Sequence, residues 1–296
     1  MRLAAVVVNH RTPDDTAAAV RSLQRSDRLV DDCIVVDNGS GDSAAVALRA
    51  RFAGVTVLET RSNLGFAGGA NVGIRDALAR EADAVFLLNS DAEVAPGALD
   101  RLVRALGGTP HAGIAGPVVR ARTEPGRVLS AGIRFSPRTA RMRECRHAPV
   151  DGVATAVDAV SGCAMLVSRE TFARVGLLAE DYFFSFEDLD FCLRARAAGL
   201  ATVLVPNAIV MHEGARSIGP RSAVRLYLAT RNHLLLASRL APRAGVRRIA
   251  RDAVVLALNL AHAVLTSEAP KSVGVASVLR GARDHRRGRY GPPPAA

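Results

Sequence analysis

The chain has 296 residues, 49% of them hydrophobic and 23% charged, with 25 Gly, 14 Pro and 4 Cys. That is one or two domains with ample material for a core, which excludes low-complexity disorder and a disulfide-stapled scaffold. Net charge is +11, yet residues 1–215 hold 24 Lys and Arg against 25 Asp and Glu, while residues 216–296 hold 15 against 3. The excess basicity therefore belongs to the last quarter, which suits an anionic partner: phospholipid headgroups, a lipid-linked phosphate or nucleic acid. With 4% aromatic residues and no Trp, base stacking has little to work with.

Residues 3–8 are an apolar run and read as a buried strand. Thr12-Pro13-Asp14-Asp15 then reads as a helix start, with Thr12 as N-cap, Pro13 at the first helical position and Asp15 closing a capping box. Residues 33–36 form a second strand ending in the turn Asp37-Asn38-Gly39-Ser40, and a helix is expected from about Asp42 to Phe52. A third strand at 55–59, a Gly-rich loop, a helix near 70–80 and a fourth strand at 84–88 follow. Such alternation predicts a mostly parallel sheet covered on both faces, with ligands outside the carboxyl ends of its strands. From 110 to 167 the pattern is less regular, with strand-like runs at 113–119 and 157–167 around an Arg-rich loop. Helices are expected at 168–175 and 187–198, short strands at 202–205 and 209–211, and helix from 216 to about 267 before a basic tail.

Cys33, Cys145, Cys163 and Cys192 are scattered without a CxxC pair; three lie in apolar or segment-interior contexts, as small core residues do, and a reducing, cytoplasmic setting is expected. The N-terminus runs directly into a strand with no signal-peptide pattern, and the longest apolar run, 253–265, is broken by Asn259 and His262. It is too short to span a bilayer, so a soluble or peripheral protein is expected.

Four clusters could carry chemistry. Asp37-Asn38-Gly39-Ser40-Gly41-Asp42 sets a carboxylate at a strand end, where it can accept hydrogen bonds from a base or ribose; an ordinary strand-to-helix turn reads the same way. The run from Asn63 to Ile74 is rich in glycine before a helix, as phosphate approach requires, but it fits neither GxGxxG nor the P-loop. Asn89-Ser90-Asp91-Ala92-Glu93 places two carboxylates near a strand end, where they can share a hard divalent cation carrying a diphosphate; a surface turn is the plain alternative. Glu187-Asp188-Leu189-Asp190 opens a helix between aromatic residues, where acids favour the helix dipole and Asp188 can also serve as a general base. His212 follows 24 residues later, beside a short strand.

The order VVVNHRTPD, VVDNGSGD, NLGFAGGANVGI, LLNSDAEV, SGCAMLVSRETFARVGLL, FFSFEDLDFCLRARAAG and HEGARS resembles the family 2 inverting glycosyltransferases, within them the rhamnosyltransferase-like branch. The resemblance runs from residue 3 to about 240. It implies a GT-A fold: an α/β, Rossmann-like, mostly parallel sheet flanked by helices. Residues 1–215 would form the catalytic domain, with a nucleotide-sugar-binding half at 1–110 and an acceptor-binding half at 111–215. Residues 216–296 would be a basic helical extension. By match of motifs, Asn9, Arg11, Thr12, Asp37 and Asn38 would hold base and ribose, Asn63, Gly65 and Asn71 would line the nucleotide pocket, and Asn89 and Ser90 would complete it. Asp91 matches the second acid of the DXD motif and would ligate Mg²⁺ or Mn²⁺, with Glu93 compensating for Asn89, which replaces the first acid, and His212 as a further contact. Glu187-Asp188 matches the ED motif, whose Asp is the base of a single displacement at the anomeric carbon.

The resemblance further implies a nucleoside-diphosphate sugar donor, dTDP-L-rhamnose or another deoxysugar ahead of UDP-hexoses, and a glycan or lipid-linked acceptor in cell-wall, polysaccharide or glycoconjugate synthesis. A UDP-hexose passed to a small-molecule acceptor is the alternative. Arg231-Asn232-His233 also recurs in the branch. The basic start and apolar body of residues 246–265 read either as an interfacial membrane anchor on the inner face or as helices packed on the protein. A sugar-1-phosphate nucleotidyltransferase is disfavoured because residues 9–13 contain no glycine. A nucleic-acid-binding role through the basic tail is the reading from another class, and no nucleic-acid partner is expected.

Overall fold

The computed structural model describes residues 1–41, 43–137, 139–149, 152–213, 223–240, 245–265 and 268–294; Asp42 and residues 214–217 of the HEGARS motif lie outside them. The first part of the chain alternates β1 (Leu3–Asn9), α1 (Pro13–Gln24), β2 (Asp32–Asp37), α2 (Ala44–Arg51), β3 (Val55–Glu59), α3 (Gly65–Ala79) and β4 (Ala84–Asn89). A short β5 (Ala92–Val94) and α4 (Ala98–Gly108) lead into β6 (Ala112–Ala121), β7 (Val128–Ser130), β8 (Ile133–Ser136), β9 (Arg141–Glu144) and β10 (Thr155–Val157). Then come β11 (Ala164–Ser168), α5 (Arg169–Val175), α6 (Glu187–Ala197), β12 (Ala201–His212), α7 (Ala223–Leu240), α8 (Gly245–Leu265) and α9 (Lys271–Arg286).

The central sheet has the order β10-β12-β6-β11-β4-β1-β2-β3, with β5 beside β12 and β7 beside β6. β3, β2, β1 and β4 are parallel; β11 is antiparallel to both β4 and β6, so β6 and its parallel neighbour β12 again run with β4. Six strands thus end on one edge. β1 and β4 lose nearly all contact with water, which is why they read as unbroken apolar runs rather than alternating ones. Leu3, Val7, Val35, Phe86, Leu88 and Leu166 meet Leu23, Leu48, Leu99 and Leu102 of the covering helices in the main core. Burial pushes the thiols of Cys33, Cys163 and Cys192 up to about 12, so they are inert packing groups.

Several elements differ from expectation. Pro13 does open α1, but Thr12 makes no side-chain cap; its hydroxyl donates to Ser90 Oγ at 3.1 Å, so no capping box forms. α3 begins at Gly65 rather than near residue 70, and the glycines lie inside the helix. A Cβ on Gly69 would fall 2.9 Å from Val8 Cγ1, and one on Gly73 would fall 2.4 Å from Val6 Cγ1. These two glycines let the helix approach the strand closely. The run 157–167 is split into β10 and β11, and the two short strands after residue 200 are one strand, bulged between Val205 and Ile209 around Pro206. The basic tail beyond 267 contains α9, whose buried stripe is Gly274, Val278, Gly281 and Ala282.

The chain forms two compact units. One comprises Met1–Arg134, Glu144–Ala179 and Asp188–Gly214; the other comprises Phe135–Arg143, Glu180–Glu187 and Ala215–Ala296. In the second unit α7 is the central helix, packed by α8 and α9, with Leu234, Ala237, Val255 and Ala282 in one cluster and Leu226, Ala263 and Val278 in another. Among the described residues, no helix is long and apolar enough to cross a membrane.

Candidate active site

Strand direction decides where the candidate residues meet. Asn9 stands opposite Asp37 at the ends of β1 and β2, and Asn89 stands opposite Val8. Asn9 is fully buried and spends its amide on the protein. Its Nδ2 donates to Asp37 Oδ1 at 2.8 Å and to Ser40 Oγ at 3.3 Å; its Oδ1 accepts from Thr12 N at 3.2 Å and Thr16 Oγ1 at 2.8 Å. Asn9 therefore orients Asp37 and the start of α1. Ser40 Oγ also donates to Asp37 and accepts from Arg11 N at 2.9 Å. Arg11 is exposed and adopts φ 59°, in the left-handed region, at the rim of this pocket.

Asn38 is the second hub. Its Nδ2 donates to Gly65 O at 2.9 Å and Asn63 Oδ1 at 3.2 Å, and its Oδ1 accepts from Leu64 N at 3.0 Å. Asn63 stays exposed, within 3.2 Å of His10 Nε2. The structure does not bring Asn71 into this group: its buried amide makes a reciprocal pair with the Leu178 backbone, at 2.9 and 3.1 Å.

Beyond β4, Ser90 and Asp91 are buried, and Asp91 Oδ1 meets His212 Nε2 at 3.1 Å. His212 comes from the end of β12, which pairs with β5 at Ala92 and so delivers the imidazole to the same edge. Burial alone would raise the Asp91 carboxyl, but the hydrogen bond and charge of His212, with Arg122 nearby, carry it below the usual range. Glu93 does not join this pair. It bonds to Arg122 Nη1 at 3.0 Å, and the same guanidinium holds Glu213 at 2.6 Å and Asp15 at 3.4 Å. No ready cluster of three metal-ligating side chains exists among the described residues. One carboxylate and one imidazole fit a cation whose other ligands are diphosphate oxygens and water, not a cation held by protein alone.

Asp188 opens α6 next to the buried Glu187 and is half-buried. Its Oδ2 accepts from Gly162 N at 2.8 Å and its Oδ1 from Leu189 N at 2.8 Å. Gly162 precedes β11 at the edge where β4 ends, and a Cβ there would fall 2.9 Å from the Asp188 Cβ, so only glycine admits the carboxylate. Burial pushes the Asp188 carboxyl up, while the two amides pull the other way. A carboxylate that is oriented, partly dehydrated and raised in pKa is suited to take a proton.

Two further residues bear on this edge and have no sequence signal. Arg122 was part of an undifferentiated Arg-rich stretch, and its importance lies in three acids brought from distant positions. Glu144 ends β9; it is an exposed residue, but its carboxylate accepts a hydrogen bond from buried Ser130. Loss of water there, with the negative charge of Asp188, raises it to about 7. No local pattern announces either residue.

The family model described as glycosyltransferase-like family 2 matches residues 2–232. The N-acetylglucosaminyl-diphospho-decaprenol L-rhamnosyltransferase of Mycobacterium tuberculosis is 32% identical over 215 residues, which cover 65% of this chain and 70% of the relative. The dTDP-rhamnosyl transferase RfbF of Shigella flexneri is 26% identical over 182 residues, 59% of this chain and 60% of the relative. Among solved structures, the mannosyltransferase PcManGT of Pyrobaculum calidifontis, in complex with GDP-Man and Mn²⁺, superposes with a TM-score of 0.59 over 97% of this chain and 83% of that one, at 18% identity. That likeness shows the GT-A fold. With its sheet, its edge of carboxylates and the match over most of its length, the chain belongs to glycosyltransferase family 2.

Proposed function

We propose that this glycosyltransferase moves L-rhamnose, with inversion, from a dTDP-linked donor to a hydroxyl of a lipid-linked saccharide. The observation that carries the reading is the gathering of Asp37, the Asp91–His212 pair and Asp188 along one sheet edge. Asp37, oriented by Asn9 and Ser40, accepts from the nucleoside in this reading. Asp188, held by Gly162 and Leu189, takes the proton from the acceptor hydroxyl as that oxygen attacks the anomeric carbon and the nucleoside diphosphate departs. Asp91 and His212 would hold Mg²⁺ or Mn²⁺, whose Lewis acidity would meet the charge of the leaving diphosphate. The rhamnosyl and decaprenol-linked chemistry named for the relatives supports the donor and acceptor. The exposed apolar face of α8, with Arg247 and Arg248 at its start, supports contact with a membrane surface.

Calorimetry with dTDP, UDP and GDP, each with and without Mn²⁺ or Mg²⁺, tests the donor site. The expected result is metal-dependent binding with dTDP tightest, and weak metal binding in the absence of nucleotide. A preference for UDP would move the donor to hexoses; no binding by any of the three would overturn the reading.

A further inference from the structure

The segment just before Asp188 is held in a costly conformation. Phe183, Ser185 and Phe186 have φ of 64, 68 and 78°, the left-handed region that side chains with a Cβ avoid. Three such residues within four positions persist only where their surroundings over-determine them. None of them is glycine, so the sequence itself does not supply the conformation. What supplies it comes from the middle of α7.

Arg231 and Asn232 are both fully buried. Asn232 Nδ2 lies 2.9 Å from Tyr182 O, 2.8 Å from Phe184 O and 2.9 Å from Ser185 O. Its Oδ1 accepts from Arg231 Nε at 3.1 Å, which fixes the amide with its donors toward those carbonyls. Arg231 Nη2 adds bonds to Tyr182 O at 3.0 Å and Asp181 O at 3.3 Å, and Nη1 donates to Gly291 O at 2.7 Å. His233 stacks on Phe186 with ring centroids 5.7 Å apart. Three consecutive residues of one helix thus grip the segment 181–186, and Arg239 pairs with the carboxylate of Asp181 at its beginning.

Backbone carbonyls turned inward need donors, and the guanidinium and amide provide several from one place. A buried guanidinium whose donors end on carbonyl oxygens is a poor choice for stability alone. It is a good choice for fixing a chain path. Asp188 lies two residues beyond Phe186, so the grip sets where α6 starts and how the carboxylate leaves the backbone.

We infer that Arg231 and Asn232 are positioning residues for Asp188, a role that rests on Asp188 being the base.

Four proteins test this: wild type, Asp188→Asn, Asn232→Ala and Asn232→Ala with Ser185→Gly. Glycine adopts φ near 68° without penalty and so replaces part of what the amide enforces. Asn232→Ala should lower kcat about 10²-fold, the scale of a misplaced catalytic group, with nucleoside-diphosphate binding within about twofold of wild type. Chymotrypsin should also cut faster after Tyr182, Phe183, Phe184 or Phe186, a readout independent of turnover. Adding Ser185→Gly should restore several-fold of the lost kcat. Turnover within about threefold of wild type, joint loss of kcat and nucleotide binding, or no recovery in the double variant would each overturn the inference. Near-normal turnover in Asp188→Asn would instead remove the base assignment beneath it.

Discussion

As the proposed base, Asp188 must do two opposed things: be ionised so that it can accept a proton, and be basic enough to keep it during attack. Two amide donors favour the first and burial favours the second. Asp188→Asn keeps the shape and the neighbours but cannot take the proton, so kcat should fall on the order of 10²–10⁴-fold while nucleotide binding stays intact. The pH profile follows from the sign of the shift. Because the carboxyl is raised, its ionised fraction, and with it kcat/KM, falls as pH drops through a value above the usual ~3.9 of an aspartic acid. The charge of Asp188 helps raise the Glu144 carboxyl to about 7, so Glu144 is protonated and uncharged at the pH of the acid limb. Glu144→Gln, uncharged at every pH, should therefore leave the acid limb in place. A limb that moves to lower pH would show that Glu144 is ionised beside Asp188 and opposes its charge. Asp37 and Asp91 stood out as candidates because strands end there, and Asp188 because a helix opens there, while the role expected of each came from the resemblance of its motif. Glu144 and Arg122 did not, since their partners are 14 to 107 residues away.

At the scale of elements, composition misled where small residues do the packing. The glycines of α3 read as a loop because glycine is a poor helix former, yet tertiary contact with β1 overrides propensity. α9 read as tail because its buried stripe is mostly glycine and alanine, which a search for large apolar residues passes over. The parallel strands, by contrast, announced themselves as apolar runs ending in turns, and their bounds needed only a residue or two of adjustment. The α3 assignment makes a prediction of opposite signs. Helix propensity alone says that Gly→Ala in a helix gains about 1 kcal/mol. At Gly73 the new Cβ would sit 2.4 Å from Val6 Cγ1 in a wholly buried strand, so overpacking of roughly 1–3 kcal/mol should win and Gly73→Ala should destabilise. At Gly107 in α4 nothing lies within 4 Å of the new atom, and Gly107→Ala should stabilise. Chemical denaturation of the two variants against wild type decides it. A Gly73→Ala variant as stable as wild type or more so would mean that α3 does not pack on β1 as described.

For the whole molecule the open quantity is what the last quarter's positive charge is for. Its arginines are not one free patch. Arg231 and Arg251 are buried, with Arg251 donating to Ala237 O at 2.6 Å, and Arg239 is paired with Asp181. Nucleic-acid binding would need a continuous exposed stripe, which these internal bonds deplete. α8 shows a different asymmetry. Arg251, Val255 and Ala263 face inward, while Val246, Ile249 and Leu265 are 80, 65 and 78% exposed, with Val254 and Val264 between them. An apolar face turned to water, with Arg247 and Arg248 exposed at its start, matches the amphipathic form of helices that lie in a bilayer surface. Wild-type protein should therefore float with vesicles rich in anionic lipid and less with neutral ones, and salt should weaken the anionic preference. Replacing Arg247 and Arg248 by Glu should erase that preference, since each basic residue near such a surface contributes about 1 kcal/mol. Ile249→Glu should reduce binding to both kinds of vesicle, because it removes insertion rather than attraction. Protein that ignores both vesicle types, or variants that float like wild type, would mean that this face meets something other than lipid.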